Sequence, residues 1–349
     1  MSQRFRITNF RRKRFILVAL FSVVVATVAW IWWVESEPEQ ERVFRLGMRS
    51  LLTDWFPEAM QPPEGVYGLF SHDDEGRGAS ALSVVLIHGL DEPGGIWDEL
   101  IPVLASKPVD LWELRYPNDQ AIDLSADLLA SQWTALGESG PVILIGHSMG
   151  GLVARDFVSR HRHPVEGSAV VSGAPVVAVF LVGTPNHGSE WARLRIWLEL
   201  MDQFESNASR DFSLFSALHD GLGTAKVDLR PGSVFLDTLN ARPWPSGVDV
   251  AQIGGVVMKD DRFDSSIEWL LERSPSDTSD QALEAWWDHT KEHLGDGVVT
   301  LESLAIEGFP PPVVFPATHR GLLRETIVEA GVPPAVGVID VWVDELLAD

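Results

Sequence analysis

Between residues 82 and 319, short apolar runs alternate with stretches of helical spacing. LSVVLIH (82–88), VDLWELRYP (109–117), PVILIGHS (141–148), VVAVFLVGTP (176–185), VDVAQIGGVV (248–257) and PVVFPATH (312–319) read as six strands. AIDLSADLLASQWTAL (121–136) and the run GGLVARDFVSRH after the third strand have the spacing of helices. Apolar strands alternating with helices predict an α/β fold: a mostly parallel sheet with helices on both faces. One stretch breaks the rhythm. Residues 190–247 carry WARLRIWLELMDQF and DFSLFSALHDGL with no strand between them. A helical insert after a strand is where a lid would sit, and ordinary covering helices are the plainer alternative. SPSDTSDQ (274–281) reads as a surface loop.

The amino terminus has a different pattern. From Phe15 to Val34 there is no charge, a run long enough to cross a bilayer as one helix. Residues 1–14 hold Arg4, Arg6, Arg11, Arg12, Lys13 and Arg14 and no acid, and ESEPEQE follows the apolar run. The positive-inside rule then places 1–14 as a cytoplasmic tail and the body on the exported side, the periplasmic face of the inner membrane in a bacterium. Trp30, Trp32 and Trp33 cluster at the far end, as interfacial aromatics do. A cleaved signal peptide is the alternative, with Thr27 and Ala29 as a weak small-x-small site, but the apolar run continues past them. Residues 35–80, with PPEG and SHDDEGRGAS, read as a stalk and lead-in, and the ordered domain is expected over 81–349.

Composition narrows the chemistry. The formal charge is -23 despite the basic tail, so the body is strongly acidic and unsuited to nucleic acid or bare anionic lipid faces. There is no cysteine, which excludes disulfides, thiolate catalysis and cysteine metal sites. No cofactor is called for.

Gly146-His147-Ser148-Met149-Gly150 matches G-x-S-x-G, preceded by ILI and followed by GLVAR. A strand that turns this sharply into a helix strains the serine backbone, and flanking glycines allow close approach. The Ser148 oxygen would then project at the carboxyl edge of the sheet above a helix amino terminus, which favours developing negative charge. Two N–H donors are expected for an oxyanion, from Met149 and from Leu90 in His88-Gly89-Leu90. His88 itself reads as a residue that shapes this loop.

A base and an acid are expected in the order serine, acid, histidine. Of ten histidines, His319 follows the last strand and precedes a helix-like segment, where the base belongs. His187, in GTPNHGS, is the main competitor and reads as part of the site wall. Asp296, in the glycine-framed GDGVV between the fifth and sixth strands, is the expected acid. Asp260, Asp261 and Asp264 are the fallback set.

HGLDEPG, GHSMGGLVAR, VGTPNHGS, PGSVFLDTLN, GDGVV and THRGLL together resemble the lipase/esterase branch of the α/β-hydrolases over roughly residues 82–330. The branch includes bacterial triacylglycerol lipases and inositol-deacylase-like enzymes. The resemblance implies hydrolysis of carboxylic esters, often lipid ones, through an acyl-enzyme. It also implies a triad of Ser148, Asp296 and His319 with Leu90 and Met149 at the oxyanion. Some members bind calcium near the acid, and no carboxylate pattern here requires it. Acyl transfer, thioester cleavage and amide cleavage use the same triad. A rival from another class is His289-Thr-Lys-Glu292-His293, which fits the inverted zinc-peptidase pattern H-x-x-E-H, although no further carboxylate ligand is marked out downstream. A non-catalytic binding module on a hydrolase fold is a third reading.

Overall fold

The computed structural model describes residues 36–60, 65–72, 82–90, 95–137, 140–189, 223–257, 295–325 and 331–348, together with scattered positions of 18–34. In chain order the main elements are α1 (Pro38–Trp55), β1 (Gly68–Ser71), β2 (Leu82–Ile87), α2 (Leu100–Ala105) and β3 (Val109–Arg115). They continue with α3 (Ile122–Gln132), β4 (Val142–His147), α4 (Met149–Asp156), β5 (Val176–Val182), α5 (Thr224–Asp228), α6 (Val234–Ala241), β6 (Asp249–Val256), β7 (Val313–Pro316) and α7 (Pro334–Ala348).

The strands form one seven-stranded sheet in the order β1-β3-β2-β4-β5-β6-β7. Every pairing is parallel except β1 with β3, which is antiparallel. Alternate residues of the central strands feed two separate cores, which is why β2 and β4 carry almost no polar positions. Val84, Leu86, Ile143, Ile145, Phe180 and Val182 pack toward Trp97, Leu100 and Leu104 and toward Ile339 and Val343 of α7. Val85, Ile87, Leu144, Val179 and Leu181 pack on the other face against α3 and α4 through Ile122, Leu129, Leu152 and Val153.

All six expected strands are present within a few residues of their expected limits, and β1 is an addition. It falls inside residues 35–80, expected as stalk and lead-in, and joins the sheet by pairing Leu69 with Leu114 and Phe70 with Glu113. Four residues at a sheet edge carry too little periodicity to stand out in a sequence. α1 also falls inside that stretch. It docks on the body through charged groups: Glu41 with Arg230 at 2.8 Å, and Arg42 with Asp228 at 2.6 Å and Asp123 at 2.8 Å. Arg230 also donates from Nη1 to the Val34 carbonyl at 3.0 Å. Because the packed face is the charged face, its pattern resembles that of a solvated segment. Asp228 ties the arrangement together, since its second oxygen accepts the Ile122 N–H at the start of α3 at 2.9 Å.

Of the insert expected over 190–247, residues 223–247 are described. There α5 and α6 pack on the body through Ala225, Phe235, Leu236 and Leu239, and Ser233 caps α6 by accepting from the Leu236 N–H. Residues 190–222 lie outside the described residues. Among the described residues no helix is long and apolar enough to cross a membrane, and only some positions of 15–34 are among them.

The Glu41–Arg230 pair is buried on both sides. Removing one partner of such a pair strands the other charge in the interior. Glu41→Leu is therefore expected to destabilise by about 3 kcal/mol, measured as a lowered urea midpoint. Glu41→Leu combined with Arg230→Met removes both charges and is expected to recover much of that loss. A strictly additive double variant would contradict this account.

Candidate active site

The turn from β4 into α4 is strained at one residue. Ser148 has φ 53° and ψ -126°, and it is the only non-glycine with positive φ among the described residues. Its neighbours leave little alternative. The Ser148 N–H donates to the Val182 carbonyl of β5 at 2.8 Å. A methyl group added at Gly150 would overlap the Ile87 carbonyl oxygen, one at Gly151 would overlap Thr184 Oγ1, and one at Gly89 would lie 2.8 Å from Ser148 Cβ. The start of α4 is thus pressed against the end of β2, and Ser148 sits half-buried above it. Met149 opens α4, so its N–H has no partner four residues earlier within the helix. Leu90 lies on the short loop after β2, next to the Gly89 that touches Ser148.

Asp296 and His319 meet at the carboxyl ends of β6 and β7. His319 Nδ1–H donates to Asp296 Oδ2 at 2.7 Å. The other oxygen, Oδ1, accepts the N–H groups of Val298 at 2.9 Å and Val299 at 2.8 Å. The His319 N–H donates to the Asp296 carbonyl at 2.9 Å, so the two residues are also tied through the backbone. Gly295 (φ 53°) and Gly297 (φ 91°) allow the tight loop that aims these groups at one carboxylate. An ionised carboxylate only accepts, so the proton sits on Nδ1 and leaves Nε2 as the basic nitrogen.

Three residues that the sequence did not single out support this pair. Gly183, at the end of β5, has φ 57°, and a methyl group there would come within 3.1 Å of the His319 ring and 3.3 Å of Asp296 Oδ2. A methyl group on Gly255 would lie 2.9 Å from Asp296 Cβ. His147 is fully buried, its ring centroid lies 4.8 Å from that of His319, and its Nε2–H donates to the His319 carbonyl at 3.2 Å. Burial, with the neighbouring His319, holds the His147 pKa well below the ordinary histidine value. In the sequence His147 is the variable position of G-x-S-x-G. Nothing local marks it as the residue that joins Ser148 to the histidine strand.

The competing histidines are placed elsewhere. His88 is buried and stacked on Tyr116 at 4.3 Å, and its carbonyl accepts the Tyr116 hydroxyl. It shapes the loop, as its sequence context implied. His187 is exposed, with Nε2 3.0 Å from the Ala305 carbonyl oxygen. Asp260, Asp261, Asp264, His289, Glu292 and His293 lie outside the described residues. Among the described residues no group of three His, Asp or Glu is close enough to hold a metal ion.

A seven-stranded, mostly parallel sheet with a strained serine at the turn from a central strand into a helix is the architecture of an α/β-hydrolase. The model of the alpha/beta hydrolase family matches residues 84–328, and the chain belongs to that family. Two curated relatives share sequence with it. One is the pimeloyl-[acyl-carrier protein] methyl ester esterase of Photobacterium profundum, 26% identical over 179 residues, covering 49% of this chain and 64% of the relative. The other is the lipase LipV of Mycobacterium tuberculosis, 32% identical over 102 residues, covering 28% of this chain and 38% of the relative. The chain thus spans less than two thirds of the length of either. Among solved structures, a metagenomic carboxyl esterase superposes with a TM-score of 0.51 at 16% identity, over 86% of this chain and 91% of the other, a likeness of fold.

Two predictions follow from this packing. Gly150→Ala drives a methyl group into backbone that cannot yield, and is expected to cost about 3 kcal/mol or more, read by urea denaturation. The second concerns pH. His147 stays neutral in the folded protein, whereas the unfolded chain takes up a proton below about pH 6.5. The unfolded state then binds more protons, so stability falls as pH falls. The contribution of His147 is therefore lost progressively as pH falls from 7 to 5, read as a lowered urea midpoint. An urea midpoint unchanged between those two pH values would contradict it.

Proposed function

We propose that this chain is a membrane-anchored serine hydrolase that cleaves carboxylic esters through an acyl-enzyme. The observation that carries the reading is the strained Ser148 on the same sheet edge as a histidine whose Nδ1–H is held by Asp296. In this reading His319 Nε2 takes the Ser148 hydroxyl proton as Oγ attacks the ester carbonyl carbon. The resulting oxyanion is held by the Leu90 and Met149 N–H groups and by the amino terminus of α4. Collapse expels the alcohol, which takes the proton back from His319. Water, deprotonated by His319, then attacks the acyl-enzyme and releases the carboxylic acid and free Ser148. Asp296 keeps the imidazole in the right tautomer and stabilises the imidazolium.

The names of the two curated relatives, an esterase and a lipase, support an ester as the substrate class. A lipid or other acyl ester fits best with the anchor, for which residues 15–34 are the candidate. Of the positions there that are described, Val18, Phe21, Val25, Trp30 and Trp32 are exposed rather than packed into the domain. The basic tail 1–14 supports an N-terminus in the cytoplasm and the catalytic domain on the exported side. The helical spacing of 190–247, which follows β5 in the chain, supports a lid over an acyl chain.

A fluorophosphonate probe is expected to label the wild type and to leave Ser148→Ala unlabelled. Labelling that persists in Ser148→Ala would sink the assignment. Asp296→Asn is expected to lower turnover on a chromogenic ester about 10⁴-fold, and a chelator is expected to change nothing. Inactivation by the chelator with indifference to the probe would favour the zinc reading of His289, Glu292 and His293. Rates across an acyl-chain series should rise with chain length if the substrate is a lipid ester.

A further inference from the structure

α1 is built inside out for a helix that packs on its own domain. Its inward face is charged: besides Glu41 and Arg42, Arg45 pairs with Glu41, and Arg49 Nη1 donates to Gln120 Oε1 at 3.2 Å. Its outward face carries Phe44, Leu51 and Trp55, which are 47%, 39% and 67% exposed. Spacings of seven and four residues align these three as one stripe. Val43 lies beside the stripe and Phe56 just past its end, 61% and 49% exposed. A surface helix ordinarily turns such residues toward the core, and a contiguous exposed apolar face marks a contact surface.

The stripe continues into the apolar segment that precedes it. The ring of Phe44 lies 5.8 Å from that of Trp30 and 6.1 Å from that of Trp33. Trp30 and Phe44 are fourteen residues apart, about 21 Å along an unbroken helix. Their contact requires the chain to bend sharply between them, and it does so at Glu37, where φ is -134° and ψ is 59°. The chain therefore turns between them and sets the outer face of α1 against the far end of the apolar segment. With 15–34 crossing a bilayer, that face sits at the membrane boundary. The aromatic side chains of Trp30, Trp33, Phe44 and Trp55 then fall at the interfacial level that such residues favour.

The inward partners of α1 show which part of the domain it carries. Gln120 and Asp123 follow the carboxyl end of β3, and Asp228 and Arg230 adjoin Ser189, whose N–H donates to the Leu229 carbonyl just after β5. These are on the edge of the sheet that holds Ser148 and His319.

We infer that the outer face of α1 lies in the surface of a lipid bilayer and holds the domain with its catalytic edge beside the membrane. The inference rests on the anchor proposed above. It adds that the domain is not free to swing on a stalk, and that its substrate is drawn from the bilayer. The fitting surface is an uncharged or zwitterionic one. Arg42 and Arg45 are turned inward onto carboxylates, and the chain as a whole carries a charge of -23.

Because the chain has no cysteine, single labels are clean. Leu51→Cys, Trp55→Cys and Val170→Cys would each carry an environment-sensitive fluorophore on the full chain. Each would be reconstituted into phosphatidylcholine vesicles with and without nitroxide-bearing lipid. Val170 is the control, 69% exposed at the opposite edge, where its N–H donates to the His161 carbonyl beyond the far end of α4. The expected result is severalfold stronger quenching by nitroxide lipid at positions 51 and 55 than at 170. Protein that floats with the vesicles but shows no quenching at 51 and 55 overturns the inference and leaves the anchor standing. Blue-shifted yet unquenched labels would mean that protein, such as a second copy of the chain, covers the stripe, which also overturns it. Failure to float with the vesicles removes the anchor and this inference together.

Discussion

The backbone of Ser148 is the constraint around which the carboxyl edge of the sheet is organised. A non-glycine residue at φ 53°, ψ -126° costs about 1–3 kcal/mol and persists only where the surroundings allow nothing else. Those surroundings come from two strands and a loop. β5 supplies the Val182 carbonyl that holds the Ser148 N–H, β2 supplies the carbonyls that Gly150 slides past, and the loop after β2 brings Gly89 against the serine Cβ. The crowding that produces the strain also gives the function its geometry. A serine that cannot relax into the helix keeps its side chain above the helix amino terminus.

The same economy of space governs the Asp296–His319 pair. Asp296 accepts two backbone N–H groups on one oxygen and the imidazole on the other, so three of its roughly four acceptor directions are taken. These bonds orient the carboxylate and, through it, the ring. Gly183 and Gly255 are then required as empty space, and His147 as a neutral, buried prop under the His319 backbone. Burial disfavours a charge on His147, next to the His319 ring.

Charge plays the opposite role at α1. There it is the adhesive, through Glu41 with Arg230 and Arg42 with Asp123 and Asp228, while apolar side chains are left outside. Buried ion pairs are costly to desolvate and contribute specificity of placement more than raw stability. That suits a helix whose task is to hold one orientation. Asp228 makes the placement matter to the rest of the fold, because the same carboxylate also receives the first N–H of α3.

What the sequence determined by itself was whatever is written in local order. Apolar runs named six strands, and G-x-S-x-G between a strand and a helix marked Ser148. The glycine frame of GDGVV marked Asp296, and position after the last strand marked His319. The order of those strands in the sheet was not legible, and the meeting of Asp296 and His319, twenty-three residues apart, was expected only from the order serine, acid, histidine and from the family resemblance. Short-range patterns carry no record of long-range contact. β1 was missed because four edge residues have no periodicity to speak of. α1 was missed because its packed face is polar, and the hydrophobic pattern finds only helices that bury oil. Gly183, Gly255 and His147 became intelligible only in three dimensions. The need for a missing methyl group, or for a neutral ring, is set by atoms that the chain brings in from elsewhere.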